Sequence, residues 1–328
     1  MKVTSSKIAL VVLDQIAWIL VVVFYVAFAV ITPAFLKIGV VTFMLYAAAP
    51  LGFLVLAETL VLITGNMDLS IDNNAGFVAM LSGVIIMTIP GIPWYLAVFM
   101  PPLFGLAVGA FNGFIVGYMR MNPFLVTLGT TEILAGARLL LYLGTIPGSV
   151  IPAGYMMWGG DPLTAIGTFL VIMVSFWFFL KYTRTGNHLY AVGGSSEAAM
   201  MMGINLKRSY LLVFMLSGML AGIAGLFFTG FINSVSRTLA DWTLFPAFSG
   251  AVIGGVAMQG GRGSPINAFA GTVFIGIIEG GLTMFAMPTE TRVMVYGILV
   301  IVAIFINRSR DIARDRILTA SPVDFAQP

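Results

Sequence analysis

Four ionisable side chains interrupt the apolar stretches of this chain: Glu58, Glu132, Arg138 and Glu279. Inside a bilayer each ionised group costs at least ~2.5–3.5 kcal/mol unless it is paired or hydrated. Glu132 and Arg138 stand six apart, on different sides of any helix holding both, so they cannot pair locally. Each therefore needs a partner on another segment or water in a cavity. For Glu58 and Glu279 two uses stand open: hydrogen bonds to the hydroxyls of a passing solute, or neutralisation of Arg138. Proton carriage by Glu58, Glu132 or Glu279 is a third use, and it would make the chain an ion-coupled transporter. A second polar group is the run Thr64-Gly65-Asn66-Met67-Asp68-Leu69-Ser70-Ile71-Asp72-Asn73, set between two apolar stretches. A glycine-containing polar break at membrane depth is tolerated only where it is buried or lines a cavity, and transporters often build solute sites from such interrupted helices. That reading makes Asp68, Ser70 and Asn73 pathway candidates. The plainer reading is a turn in which Asp68 caps the next helix.

A third group could act by docking. Lys181–Ser209 lies between two long apolar runs and holds the only histidine, His188, and a glycine pair, Gly193-Gly194. Ser195 and Ser196 offer N-cap oxygens, Glu197 puts an acid in the first turn, and Gly203 is a natural stop at C′. The sequence between them, Glu197-Ala198-Ala199-Met200-Met201-Met202, predicts a helix of about two turns. A helix that short is marginal in water, and three methionines are adaptable contact side chains. It needs a surface to dock on, either its own membrane domain or a separate protein.

These groups are positioned by a membrane fold. Hydrophobic residues are 59% of the chain and charged ones 9%, against about 25% charged in soluble domains. Hence we expect an all-α integral membrane protein, a single transmembrane domain over 1–328 with its membrane core at about 8–307. Ten spans are expected: Ile8–Ile31, Val40–Thr64, Asn73–Ile89, Trp94–Tyr118, Pro123–Leu143, Leu163–Leu180, Tyr210–Phe231, Trp242–Met258, Pro265–Phe285 and Arg292–Ile306. The first is too long for a signal-peptide core and is read as a retained span. With both ends in the cytoplasm, twelve basic residues lie inside and only Lys37, Arg237 and Arg292 outside, the bias of a positive-inside topology. Segment 181–209 and the tail 308–328 then both face the cytoplasm. Gly105, Gly109, Gly113 and Gly117 recur every four residues and line one helix face. Such a face lets backbones approach closely, within one subunit or at a dimer seam, the former being the expectation.

The composition also excludes chemistry. With no cysteine, one histidine and no metal-ligand cluster, neither disulfides, thiolate metal sites nor nucleophilic catalysis is expected, and no cofactor. The turn Gly254-Gly255 … Gly260-Gly261-Arg262-Gly263 is glycine-rich but lacks the Lys-Ser/Thr pair of a phosphate loop. The net charge of +3 is too small and too scattered for nucleic acid.

Several of these stretches resemble those of bacterial ABC-importer permeases, nearest the ribose/monosaccharide branch. Tyr190-Ala191-Val192-Gly193-Gly194, Glu197-Ala198-Ala199 and Gly203-Ile204 are similar to that family's coupling loop, and Gly254–Gly263 to its GG…GGRG turn. In Thr64–Asn73, Gly65, Asp68, Leu69 and Ser70 match the family's TGGIDLSVGS, while Asn66 and Asp72 replace glycines. Asn112-Gly113 through Asn122-Pro123-Phe124-Leu125-Val126-Thr127-Leu128-Gly129-Thr130 resembles its NG…PFIVTLGT. The likeness runs from about residue 45 to 307.

The resemblance implies a permease subunit that is not itself an enzyme, in the cytoplasmic (inner) membrane of a bacterium or archaeon. It implies two permease chains, identical or different, cytoplasmic ATPase subunits, and an extracytoplasmic solute-binding protein. Gly193, Gly194, Glu197, Ala198, Ala199, Met200 and Gly203 would couple to the ATPase. Glu58, Asp68, Ser70, Asn73, Asn112 and Glu279 would line the path of a small polar solute, a sugar by resemblance. An ion-coupled secondary transporter is the competing class.

Overall fold

This structure, a computed structural model, describes residues 15–89 and 91–320. The expected start of the first span and the last eight residues lie outside them. Apolar runs and cap residues set the element order. α1 (Ile16–Ile31) leads through a 3-10 turn (Pro33–Leu36) into α2 (Ile38–Ile63), and after the polar break into α3 (Ile71–Thr88). α4 (Trp94–Ala97) and α5 (Met100–Tyr118) divide the expected fourth span just before Pro101-Pro102. α6 (Pro123–Leu141) starts on a proline, with Asn122 Oδ1 accepting from the Phe124 N–H. α7 (Ala153–Gly160) and α8 (Pro162–Tyr182) follow. α9 (Arg184–Gly194) and α10 (Ser196–Met201) make up the docking segment, and α11 (Leu206–Ile232), α12 (Leu244–Ile253), α13 (Pro265–Met284) and α14 (Thr289–Ala320) complete the chain. β1 (Ile146–Pro147) and β2 (Ser234–Val235) form a small antiparallel ladder, Ile146 opposite Val235.

Among the described residues eight helices are long and apolar enough to cross a membrane, and α1 and α12 are shorter apolar helices. The ten segments follow the order of the ten expected spans, eight of them long enough to cross a bilayer on their own. The eighth is shorter than expected, ten residues instead of seventeen, because the chain turns at Gly254-Gly255, where Gly255 has φ +90. The last is longer: α14 runs unbroken past Asn307 to Ala320, so residues 308–320 continue a helix where a separate tail was expected.

α2 is the central post. Every residue from Gly52 to Ile63 is buried, as befits a helix that is apolar all round, and α3, α8, α9, α11, α12 and α13 all pack on it. Beside it, α5 and α11 lie in close backbone contact. Gly105 and Gly109 face Gly218, Gly113 faces Leu211, and Gly117 faces the Lys207 carbonyl. The four-residue glycine stripe therefore packs within one subunit, as expected. The bundle has two ends. One carries Arg120, Arg184, Lys207, Arg208 and Arg262 and is called the basic end here; the β1–β2 ladder and α7 sit at the other.

Candidate coupling site and polar break

The docking segment folds as two helices where the sequence suggested one. Thr183 Oγ1 accepts from the Gly186 N–H at 3.0 Å and starts α9, and Leu189 and Val192 are buried on one face. At the C-terminal end of α9 the Gly193 backbone lies against the Ile63 carbonyl, so close that a Cβ would collide with it. That carbonyl, in the last turn of α2, accepts from the Gly261 N–H at 2.8 Å. Gly260 lies against the Gly193 carbonyl and the Gly65 N–H. Tyr190 donates its hydroxyl to the Gly263 carbonyl at 2.8 Å; burial pushes that phenol up to about 12, so it remains a donor at any physiological pH. Three glycine-bearing motifs far apart in sequence, at 64–66, 193–194 and 260–263, thus meet at one junction on the basic end.

α10 forms as the caps required. Ser195 Oγ accepts from the Ala198 N–H at 3.2 Å, and Gly203 takes φ +79, returning its N–H to the Met200 carbonyl at 2.9 Å. Its residues are not equivalent. Met200, Met201 and Met202 are 54%, 89% and 67% exposed, and Glu197 and Ala198 are exposed as well. Ala199 is fully buried within the chain itself. Of the expected coupling residues, then, Glu197, Ala198 and Met200 face outward, while Ala199 and Gly193 touch the chain's own core and position the segment. Beside α10 runs a groove of about 620 Å³, lined by Met200, Ile204, Lys207 and Tyr210 on one wall and Val116 and Arg120 on the other.

Below this junction the polar break closes on itself. Asp68 Oδ1 accepts from the Ser70 N–H at 3.0 Å and from the Ser70 hydroxyl at 2.6 Å, while Oδ2 accepts from Ser217 at 2.9 Å. Asn112 Nδ2 donates to Ser70 Oγ at 3.0 Å, and Thr130 donates to Asn112 Oδ1 at 2.6 Å. Thr131 donates to the Leu69 carbonyl at 2.6 Å. All but Leu69 and Thr131 are at most 4% exposed. The network ties residues 68–70 to α5, α6 and α11. A buried polar network that is mutually satisfied rigidifies its surroundings. Asp68, Ser70 and Asn112, all singled out in the sequence, are brought together with Thr130, the last residue of the matched stretch that follows Asn112; Ser217 and Thr131 join them without any local signal. Asn73, half-buried, instead donates from its backbone and side chain to Asp72 Oδ1.

The in-span charges go separate ways. Glu58 is 1% exposed, and its carboxylate lies beside Asp68 with no side-chain hydrogen-bond partner among the described residues. The partner of Arg138 is neither Glu58 nor Glu279: it is Asp241, at 2.6 Å, with the Leu239 carbonyl accepting a second bond at 2.9 Å. The structural alternative drawn from the sequence is corrected here, because a loop more than a hundred residues downstream supplies the anion. Gly76 leaves the space that the guanidinium occupies. Glu279 pairs with Arg292 at 2.9 Å and accepts from the Tyr296 hydroxyl, near the end opposite Asp68. Glu132 lies exposed at the middle of α6, between Gly129 and Gly136, where a Cβ would meet nothing.

The model of the family described as "Branched-chain amino acid transport system / permease component" matches residues 40–304. The chain is 28% identical over 312 residues to the autoinducer 2 import system permease protein LsrD of Escherichia coli (strain K12), covering 91% of this chain and 92% of that protein. LsrD of Shigella flexneri matches with the same identity and coverage. No solved structure matches the chain.

Proposed function

The chain belongs to the branched-chain amino acid transport system / permease component family, that of multi-pass inner-membrane permeases of ABC-type importers, and from that premise we propose how its parts work. The basic end faces the cytoplasm, and α10 with its outward methionines seats in a complementary groove on an ATPase subunit. Two permease chains enclose the solute path, and an extracytoplasmic binding protein delivers the solute, a small polar molecule of the sugar type. The names of the curated relatives, which describe import of autoinducer 2, support a small-solute importer.

One observation carries this reading: the junction of Gly193 with the Ile63 carbonyl and the Gly261 N–H. A push on α10 can move through α11, which follows it four residues on, and through α9, which ends against the central post and against the turn preceding α13. From Ile63 the chain enters the break whose Asp68 network grips α5, α6 and α11. Nucleotide-driven closure of the ATPase pair would thereby reach four transmembrane helices without a flexible step.

The test is the energy source. In proteoliposomes holding the chain with its ATPase and binding protein, uptake should require ATP and survive a protonophore. Uptake by the chain alone that collapses with the proton gradient would favour the ion-coupled reading, with Glu58, Glu132 or Glu279 as the proton site.

A further inference from the structure

At the end opposite the coupling junction, a cavity of about 430 Å³ opens between α2, α11, α12, α13 and α14. Its size lies within the ~300–1,000 Å³ of small-molecule pockets. Phe43, Phe231, Trp242 and Tyr296 give it aromatic walls. Between them project Asp241, Glu279 and Arg292, whose side chains keep 29%, 35% and 25% of their surface open. Asp241 is presented on unusual backbone: its neighbours Ala240 and Trp242 have φ +65 and +67. Non-glycine residues in that region are strained, persist only where the surrounding structure holds them, and cluster at functional sites. Trp242 is 56% exposed, a large ring left uncovered at the cavity mouth.

We propose that this cavity is a resting site for a neutral polyhydroxylated ring solute on its way into the membrane, an inference that rests on the permease reading. The charges are the deciding feature. Asp241 is already neutralised by Arg138, and Glu279 by Arg292. The site thus presents carboxylate and guanidinium hydrogen-bonding edges that are already engaged with one another. A zwitterionic amino acid would have to break one of these pairs. A sugar or cyclic polyol needs neither charge: its hydroxyls bond to the paired ions at the rim of each pair, while its C–H face lies on an aromatic ring. Aromatic walls with a few placed polar groups are the general make-up of small-ligand sites.

Because the chain contains no cysteine, the site can be probed directly. Ala47, on the cavity wall, is changed to cysteine in the full chain, with Lys37→Cys at the same end as control. Labelling by a membrane-impermeant thiol reagent is then followed in right-side-out vesicles. The probes are D-ribose, D-galactose and myo-inositol, with L-leucine for comparison. At least one polyol should slow labelling at Ala47→Cys roughly fivefold or more, the factor 1 + [L]/Kd for a probe a few-fold above Kd, and leave Lys37→Cys unaffected. Trp242→Ala should abolish the protection and Trp242→Phe should restore it. Protection by L-leucine alone overturns the solute class, and no protection by any probe overturns the site. ATP-driven uptake measured in the same vesicles separates these failures from failure of the permease reading: uptake that persists on ATP without protection sinks only the cavity.

Discussion

The Gly193 backbone rests on the Ile63 carbonyl, with no room between them for a methyl group. Its neighbour Gly194 has open space where a Cβ would stand. The pair therefore makes a controlled comparison. Gly193→Ala should cost about 1–3 kcal/mol of junction stability, as overpacking does, and uncouple ATP hydrolysis from uptake. Gly194→Ala should be neutral or stabilise its helix by about 0.5–1 kcal/mol. Thermal melting and uptake of both variants measure this, and equal effects would refute the contact's role.

The outward and inward faces of α10 should part in the same way. Met201→Asp touches nothing inside the chain, so membrane insertion and melting should be unchanged while co-purification of the ATPase falls. Ala199→Asp forces a carboxylate into a fully buried position and should lower the melting temperature before any partner is added, since an unpaired buried charge costs several kcal/mol. Normal ATPase recovery with Met201→Asp would mean that the exposed methionines are not the contact.

Gly203 closes α10 at φ +79. A side chain in that left-handed region costs roughly 1–2 kcal/mol, with asparagine among the tolerated exceptions. Gly203→Val should reduce uptake strongly at normal membrane levels, and Gly203→Asn should keep most of it. The comparison is read in transport assays normalised to protein.

The Asp68 network predicts non-additivity. Ser70→Ala removes both its donation to Asp68 and its acceptance from Asn112, so Asn112→Ala should then cost less than it does alone. A coupling energy of about 0.5–1.5 kcal/mol is expected from a double-mutant cycle on thermal stability. Strict additivity would mean the bonds do not act as a unit.

For the ion pair, Asp241→Ala strands Arg138, which is 5% exposed. Breaking a buried pair in this way typically costs ~3–5 kcal/mol, and Arg138→Met with Asp241→Ala should recover part of it. A single variant as stable as the parent would show that water already screens the pair.

Local chemistry made much of this legible in the sequence. Ser195, Glu197 and Gly203 mark α10 to within a residue because caps and stops act over one turn, and the spans follow from lengths of apolar run. The α9 helix was not legible, because Thr-Arg-Thr-Gly-Asn-His has weak helix propensity. Its only signals are the Thr183 cap and the spacing of Gly186, Leu189 and Val192 on one face. Nor could the sequence pair Arg138 with Asp241 or turn Ala199 inward, since both depend on which segments the tertiary fold brings together. The glycine matches pointed to three motifs singly; their meeting at one junction belongs to three dimensions.

α14 joins the two ends of the molecule by itself. Arg292, near its start, is tied to Glu279 at the aromatic-walled cavity, and Asp311, beyond its apolar part, is tied to Arg262 in the turn beside Gly194. The stretch between contains one glycine and no proline, and at ~1.5 Å per residue it spans about 28 Å. It therefore behaves as a tie rod, pinned by an ion pair at each end. A tilt of only about 5° would carry one pin some 2–3 Å relative to the other over that length, enough to break a salt bridge. Emptying the cavity and shifting the turn at the basic end would then be one mechanical event, and paired spin labels at the two ends would report a single transition, not two.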